Sequence, residues 1–175
     1  MNAVRAGMVD IGEDLAQRLR DGLAVSHDHG SLAQAARSLA QLVQAGFWGD
    51  DPRALLEDTL AAIAERLLWL LEGRDGAGSA AQLEPDVKAT AVFDALLVLE
   101  LPALDRAFIL ETMARHARSP AKPPGLRGAA LGVAYAHGGL GDEEQARADV
   151  LAATRATPAR DALGDFLYGL FSCAR

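Results

Sequence analysis

Apolar residues recur along most of this chain at steps of three and four positions, the spacing of one face of an α-helix. The clearest run follows Asp51 and Pro52. These residue types begin helices well, because a carboxylate caps free backbone N–H groups and proline has none to lose. The pattern predicts a long core helix that ends at Gly73. Its apolar stripe contains Leu56, Leu60, Ile63, Leu67, Leu70 and Leu71, widened by Leu55, Leu68 and Trp69.

The same spacing, read with capping residues, prolines and glycines, predicts about eight helices in all. One is expected between about Asp10 and Val25. Ser31 and Gln34 have capping-box spacing, which predicts a helix from there to about Gly46. The next helix after the core helix should open at Pro85 and be buried on several sides. Its apolar residues are Val87, Ala91, Phe93, Leu96, Leu97 and Leu99.

Proline and glycine divide the rest of the chain. Leu101 and Pro102 should break the pattern, and another helix should then reach about Arg118. Further helices are predicted from Leu126 to the Gly138–Gly139 stop, from an Asp142 cap, and from Thr157 and Pro158 onward. The last has the stripe Leu163, Phe166, Leu167, Leu170 and Phe171.

Composition supports the helical interpretation. The chain has 36 Ala and 27 Leu but only 9 Val and 3 Ile, so most of its apolar residues are good helix formers rather than β-branched. We therefore predict an all-α fold. A length of 175 residues suits one domain, 1–175, with a subdomain break at the glycine-rich stretch 73–84 as the alternative.

Grouped in pairs, the predicted helices give antiparallel hairpins at about 31–72, 85–118 and 124–156. This rough period predicts a short α-solenoid, a stack of helical repeats. An irregular helical bundle with helices of similar length explains the same pattern. The sequence leaves both arrangements open.

Charge and the single cysteine narrow the class of protein. A net charge of −7 argues against nucleic acid as a partner. Cys173 has no second cysteine with which to form an intrachain disulfide. The N-terminus carries acids and lacks the apolar run of a secretory signal, and no stretch is apolar enough to span a membrane. We expect a cytoplasmic protein that contacts no membrane.

Candidate chemistry is sparse. His27 and His29 could bind one metal ion from an extended segment, but no third ligand is evident, and a solvated loop is the alternative. Cationic His116 suits the C-terminal end of its helix, and His137 suits a packed or capping role. No catalytic residue and no cofactor site is predicted. A metal-dependent enzyme using His27 and His29 is kept as an alternative function.

Phe47 and Trp48, flanked by glycines in a connector, are the predicted partner contacts, because aromatic residues are enriched at interface hot spots. The alternative is an apolar plug that closes a hairpin against the core.

Two resemblances to known families follow from particular residues. Leu131, Gly132, Tyr135, Ala146, Val150, Ala153 and Pro158 resemble the signature of one tetratricopeptide unit, at about 125–158. This resemblance implies a helical hairpin and agrees with Gly128 and Gly132 as close-packing positions.

The second resemblance covers roughly residues 85–175. The segment Gly164–Phe171, followed by Ala174 and Arg175, with Leu126–Ala129 upstream, resembles the end of an uncharacterised bacterial family. Its members are encoded beside MoxR-type AAA ATPases and von Willebrand A-domain proteins. The resemblance implies a helical C-terminal part within such a system.

The leading functional hypothesis is a noncatalytic protein-interaction or scaffold module with a protein partner. A self-assembling structural subunit is the third hypothesis. In that case the apolar faces of residues 87–99 and 163–171 would be buried between copies of the chain.

Overall fold

A computed structural model of the chain describes residues 17–18, 21–22, 28–45, 50–76, 80–157 and 159–173. Within these ranges the backbone forms helices and turns and no strand, which confirms the all-α prediction. Of the helix predicted at 10–25, only residues 17–18 and 21–22 are described, and they are helical. The helices are α1 (His29–Ala45), α2 (Asp50–Glu72), α3 (Ala80–Val98), α4 (Arg106–Arg118), α5 (Pro124–Ala136), α6 (Glu143–Arg155) and α7 (Arg160–Cys173).

The predicted cap at Asp142 is confirmed, because its Oδ1 accepts a hydrogen bond from the backbone N–H of Gln145 at 2.9 Å. The predicted cap at Ser31 is wrong. Helix α1 begins earlier, and the Oδ1 of Asp28 accepts from the N–H of Gly30 at 3.0 Å. A carboxylate accepts this bond better than a hydroxyl group does, so Asp28 takes the capping position.

The prediction that Pro85 opens a helix is also wrong, because α3 begins at Ala80 and Pro85 lies inside it. Tertiary contacts hold the extra turn. Gln82 accepts a hydrogen bond from Arg74, and the side chain of Leu83 lies against Gly125 of α5. Proline at the sixth position of α3 removes one helical hydrogen bond, and these contacts offset the loss.

Four of the seven described helices pack mainly with the next helix but one in the sequence. Helices α1, α3, α5 and α7 contact one another in that order, with the most extensive contact between α5 and α7. Helix α2 lies mainly against α1, and α4 lies against α5. One continuous apolar core runs from α1 to α7.

Most of the predicted apolar stripes are buried in this core, including Leu56, Leu60, Ile63, Leu67 and Leu71 of α2. Two predicted stripe residues are instead exposed: Trp69 of α2 and Phe171 of α7. Each lies on a helix face that no described helix covers. Sequence spacing alone gives the width of an apolar stripe, and the neighbouring helices decide how much of that width they bury.

Glycines set the contact between α5 and α7. A Cβ atom at Gly128 would lie 1.9 Å from the carbonyl oxygen of Phe166, and one at Gly132 would lie 2.8 Å from that of Leu170. From the other side, a Cβ at Gly169 would lie 2.1 Å from the carbonyl oxygen of Gly125. The predicted close packing at Gly128 and Gly132 is confirmed, but the helix that they approach is α7 and not α6, the second helix of the tetratricopeptide-like segment.

Candidate functional site

An open groove of about 490 Å³ lies between α2 and the start of α4. Its apolar lining comes from alanines and larger side chains on both helices and on the α3–α4 connection. The apolar lining residues are Ala61, Ala62, Ala64, Leu68, Ala103, Leu104, Phe108 and Ile109. Leu68 and Ile109 also belong to the core, so the groove floor is the outer surface of the packed interior.

Phe108 is the most conspicuous residue of the groove, because 54% of its surface is exposed. On α4 the buried residues Ile109, Thr112, Met113 and His116 form the face toward the core. Phe108 lies beside that face, one position before Ile109. Its side chain therefore projects into the groove and not into the interior. The groove thus offers an exposed aromatic ring next to an apolar floor.

The polar lining of the groove is acidic. Asp58, Glu65 and Asp105 contribute carboxylates, and no cationic side chain of the described residues lines it. Asp105 caps α4 by accepting from the N–H of Phe108 at 2.9 Å. Asp58 and Glu65 are exposed and have no hydrogen bond or ion pair with any described residue. The groove therefore combines apolar surface with negative charge.

His29 is paired with a buried carboxylate. Its Nδ1 lies 2.8 Å from Oδ1 of Asp86, to which the imidazole N–H donates, and the Nε of Arg74 donates to the other oxygen at 2.9 Å. Asp86 is buried between these two partners.

His27, Phe47 and Trp48 lie outside the described residues. Among the residues that the structure does describe, no group of three or more His, Cys, Asp or Glu side chains could hold a metal ion.

His116 is fully buried at the end of α4, and its Nε2 lies 2.8 Å from Oε1 of Glu72 at the end of α2. Burial lowers the pKa of His116 and outweighs the attraction of the Glu72 carboxylate. The Nδ1 atom of this imidazole has no hydrogen-bond partner among the described residues. His116 thus lies at the helix end as predicted, but it is neutral instead of cationic. Through its hydrogen bond to Glu72 it forms a buried tie between α4 and α2.

Arg115 completes this tie from the surface. Its Nη1 donates to Oε2 of Glu72 at 3.0 Å, and its Nη2 donates to the other carboxylate oxygen. The guanidinium, and after it the His116 hydrogen bond, lower the pKa of Glu72 to about 2. Glu72 is therefore ionised over the whole physiological range, and it links the C-terminal ends of α2 and α4.

Lys122 lies next to this cluster in the α4–α5 connection and is 7% exposed. Its ammonium group donates to the carbonyl oxygens of Leu71 at 3.0 Å and Glu72 at 2.5 Å. It also lies 3.1 Å from a carboxylate oxygen of Asp75. A cation at the C-terminal end of a helix satisfies carbonyl groups that have no helical partner. Lys122 thus caps α2 from a distant part of the sequence.

The surroundings of His137 and Cys173 indicate that both residues contribute to the packing of the helices. His137 takes the C-cap position of α5, and its Nε2 lies 2.8 Å from a carboxylate oxygen of Asp94 in α3. This confirms the packed or capping role predicted for it. Cys173 faces the core, and burial raises the pKa of its thiol to about 12.

Sequence reasoning missed the groove and the pairing of each described histidine with a carboxylate. The histidine pairs join residues 43 to 57 positions apart, so no local spacing could reveal them. Phe108 did carry a local signal, since an aromatic residue next to a helical stripe, but not part of it, points away from the core.

No helix in the described part of the chain is both long and apolar enough to cross a membrane. No family model matches the chain. Comparisons with curated proteins and with solved structures give no significant match either.

Proposed function

We propose that this chain is a noncatalytic protein-interaction module that binds a partner in the groove between α2 and α4. The exposed ring of Phe108 beside an apolar floor carries the proposal. Contiguous exposed apolar surface favours association, and buried aromatic anchors dominate the energy of many interfaces. The polar groups that line the groove are carboxylates, without a histidine, cysteine or hydroxyl side chain among the described lining residues.

The packing of the helices supports a scaffold built from stacked hairpins. In such a stack, equivalent helices of successive hairpins lie side by side, so each helix contacts the next but one. Helices α1, α3, α5 and α7 do so. We propose on this ground a short α-solenoid. The tetratricopeptide-like segment at 125–158 does not supply one of its packed hairpins, because α5 lies against α4 and α7 far more than against α6. A cytoplasmic location, which the single cysteine favours, goes with this proposal.

The bacterial-family resemblance extends the proposal to a partner system of MoxR-type ATPases and von Willebrand A-domain proteins. Gene neighbourhood tests this extension without any protein chemistry. Genes for both protein types beside the gene for this chain in several genomes would support it. Unrelated neighbours in those genomes would contradict it.

A photo-crosslinking residue placed at position 108 tests the interaction proposal in the native host. The matched control carries the same residue at position 171, because Phe171 is also aromatic and 67% exposed but lies on α7. We expect reproducible, light-dependent adducts with a defined host protein at position 108 and not at 171. The absence of adducts at 108, or identical adducts at both positions, would contradict the proposal.

Self-assembly is the second candidate function, and the exposed Tyr168 and Phe171 on α7 favour it. The other predicted contact face, 87–99, is largely used within the chain, because Val87, Phe93, Leu96 and Leu97 are buried. Light scattering over a range of concentrations tests this candidate. A monomer at every concentration would exclude it, and a dimer that Phe171→Ser dissociates would support it.

A further inference from the structure

The length of the groove suits a helical segment of a partner. Its α2 wall extends from Asp58 to Leu68, which corresponds to about 15 Å at a rise of 1.5 Å per residue. A helix that presents apolar side chains at positions i, i+4 and i+7 places them along about 10 Å of its axis. Three such anchors therefore fit within the wall.

The residue types of the wall favour the same occupant. Ala61, Ala62 and Ala64 are small, so the axis of a bound helix can come close to α2. Other modes of peptide recognition have less support. No described strand offers an edge for an added β-strand. A polyproline segment needs several aromatic rings, and Phe108 is the one aromatic ring among the described lining residues.

The charge of the groove defines the flanks of the bound helix. Asp58 and Glu65 are seven positions apart, two turns of α2, so both lie on the side of the helix that borders the groove. They have no partner among the described residues, and Asp105 adds a third carboxylate across the groove. Cationic side chains on the incoming segment would neutralise all three, whereas acidic ones would be repelled.

Building on the proposed function, we infer that the groove binds an amphipathic helix of a partner protein whose apolar face is flanked by lysine or arginine. Apolar side chains of that helix contact Phe108, Leu68 and Leu104, and its cations face Asp58 and Glu65. A second copy of this chain is a poorer occupant, because its net charge of −7 opposes contact with an acidic groove.

Two designed peptides test this inference on the full chain. Both form a helix with leucine at i, i+4 and i+7; one has lysine at the flanking positions and the other has glutamate. Fluorescence anisotropy of the labelled peptides gives the Kd at about 0.05 M and about 0.5 M NaCl, which changes the screening length severalfold. We expect the lysine peptide to bind at least about tenfold more tightly than the glutamate peptide, with a difference that shrinks in high salt.

Protein variants assign the binding to the groove. Asp58→Asn with Glu65→Gln should weaken the lysine peptide about fivefold or more and flatten its salt dependence. The control pair Glu144→Gln with Asp161→Asn removes the same charge from exposed positions of α6 and α7 and should change the Kd less than twofold. Phe108→Ser should abolish binding while the helical circular dichroism is retained, since the ring is exposed.

Each outcome separates this inference from the proposed function. Equal binding of both peptides, or tighter binding of the glutamate peptide, would contradict the predicted basic flanks of the partner helix. If Phe108→Ser then still abolished peptide binding, the groove would remain a binding site. If neither peptide bound, the inference that the groove binds a helix would be contradicted. Crosslinking at position 108 would still test the interaction proposal independently. A dimer in light scattering that Phe108→Ser dissociates would assign the groove to a second copy instead.

Discussion

Gly128 of α5 lies against the carbonyl oxygen of Phe166 in α7, so closely that a Cβ atom at position 128 would stand 1.9 Å from that oxygen. The atoms that would clash belong to the backbone and cannot turn away as a side chain would. The absence of a side chain at Gly128 is therefore what sets the separation of the two helices. Glycine lowers intrinsic helix stability by about 1 kcal/mol relative to alanine, and the close contact of α5 and α7 offsets that loss.

Gly128→Ala should destabilise the protein by at least about 2 kcal/mol, because α5 and α7 must move apart and lose packing contacts. Urea unfolding monitored by circular dichroism measures the free energy of unfolding. Gly164→Ala is the matched control on α7, since a Cβ there meets no atom within 4 Å. That control should leave stability unchanged or raise it by up to about 1 kcal/mol. Equal effects of both substitutions would refute the packing argument.

Acidification should destabilise the protein through His116. Its pKa is lowered in the folded protein from an ordinary value of 6.5, so the unfolded chain binds the proton more tightly and stability falls as the pH drops below about 6.5. One such group contributes at most about 1.4 kcal/mol per pH unit. Urea unfolding at a series of pH values should show this slope, and His116→Gln should reduce it. An unchanged slope in the variant would assign the effect to other groups.

Glu72 should add a second, more acidic loss of stability. Its pKa falls from 4.5 in the unfolded chain to about 2 in the folded protein. Its stabilising contribution is therefore complete above about pH 4.5 and disappears as the pH falls toward 2. Thermal unfolding of Glu72→Gln should show a smaller decrease of Tm below pH 4.5 than the unaltered protein. A parallel decrease in both proteins would contradict the assigned pairing with Arg115 and His116.

Lys122→Met should destabilise the protein by about 1–3 kcal/mol, because the carbonyl groups at the end of α2 lose a charged donor in a buried site. The control is Lys88→Met. Lys88 is an exposed residue of α3 that pairs with Glu84 one turn before it. Such pairs contribute little, so this variant should unfold at the same urea concentration as the unaltered protein. A similar loss in both variants would mean that the capping bonds of Lys122 are not the cause.

Cys173 should resist thiol reagents in the folded protein, because its thiol is buried and its pKa is raised to about 12. Ellman's reagent should react with it only as urea unfolds the chain, with a midpoint that matches the circular dichroism transition. Immediate stoichiometric reaction of the native protein would show that the C-terminal end of α7 does not stay packed.

The sequence by itself determined the helices and most of the residues that face the core. Helix propensity, three- and four-residue spacing and local caps such as Asp142 act within one or two turns, so they can be read from neighbouring positions. The misplaced starts at Ser31 and Pro85 show the limit of such signals. Asp28 caps α1 in place of Ser31. Helix α3 begins before Pro85, because Gln82 contacts Arg74 and Leu83 contacts Gly125.

Only the tertiary structure decided which helices meet and what lies between them. The packing of α5 on α7, the tie between Glu72 and His116, and the groove beside Phe108 all depend on residues that are far apart in the sequence or on different elements. Apolar spacing specifies that a helix face must be covered, but any face of similar width and residue size satisfies that requirement equally well. The backbone contact at Gly128 and the buried polar pairs discriminate among these alternatives, because they tolerate little displacement.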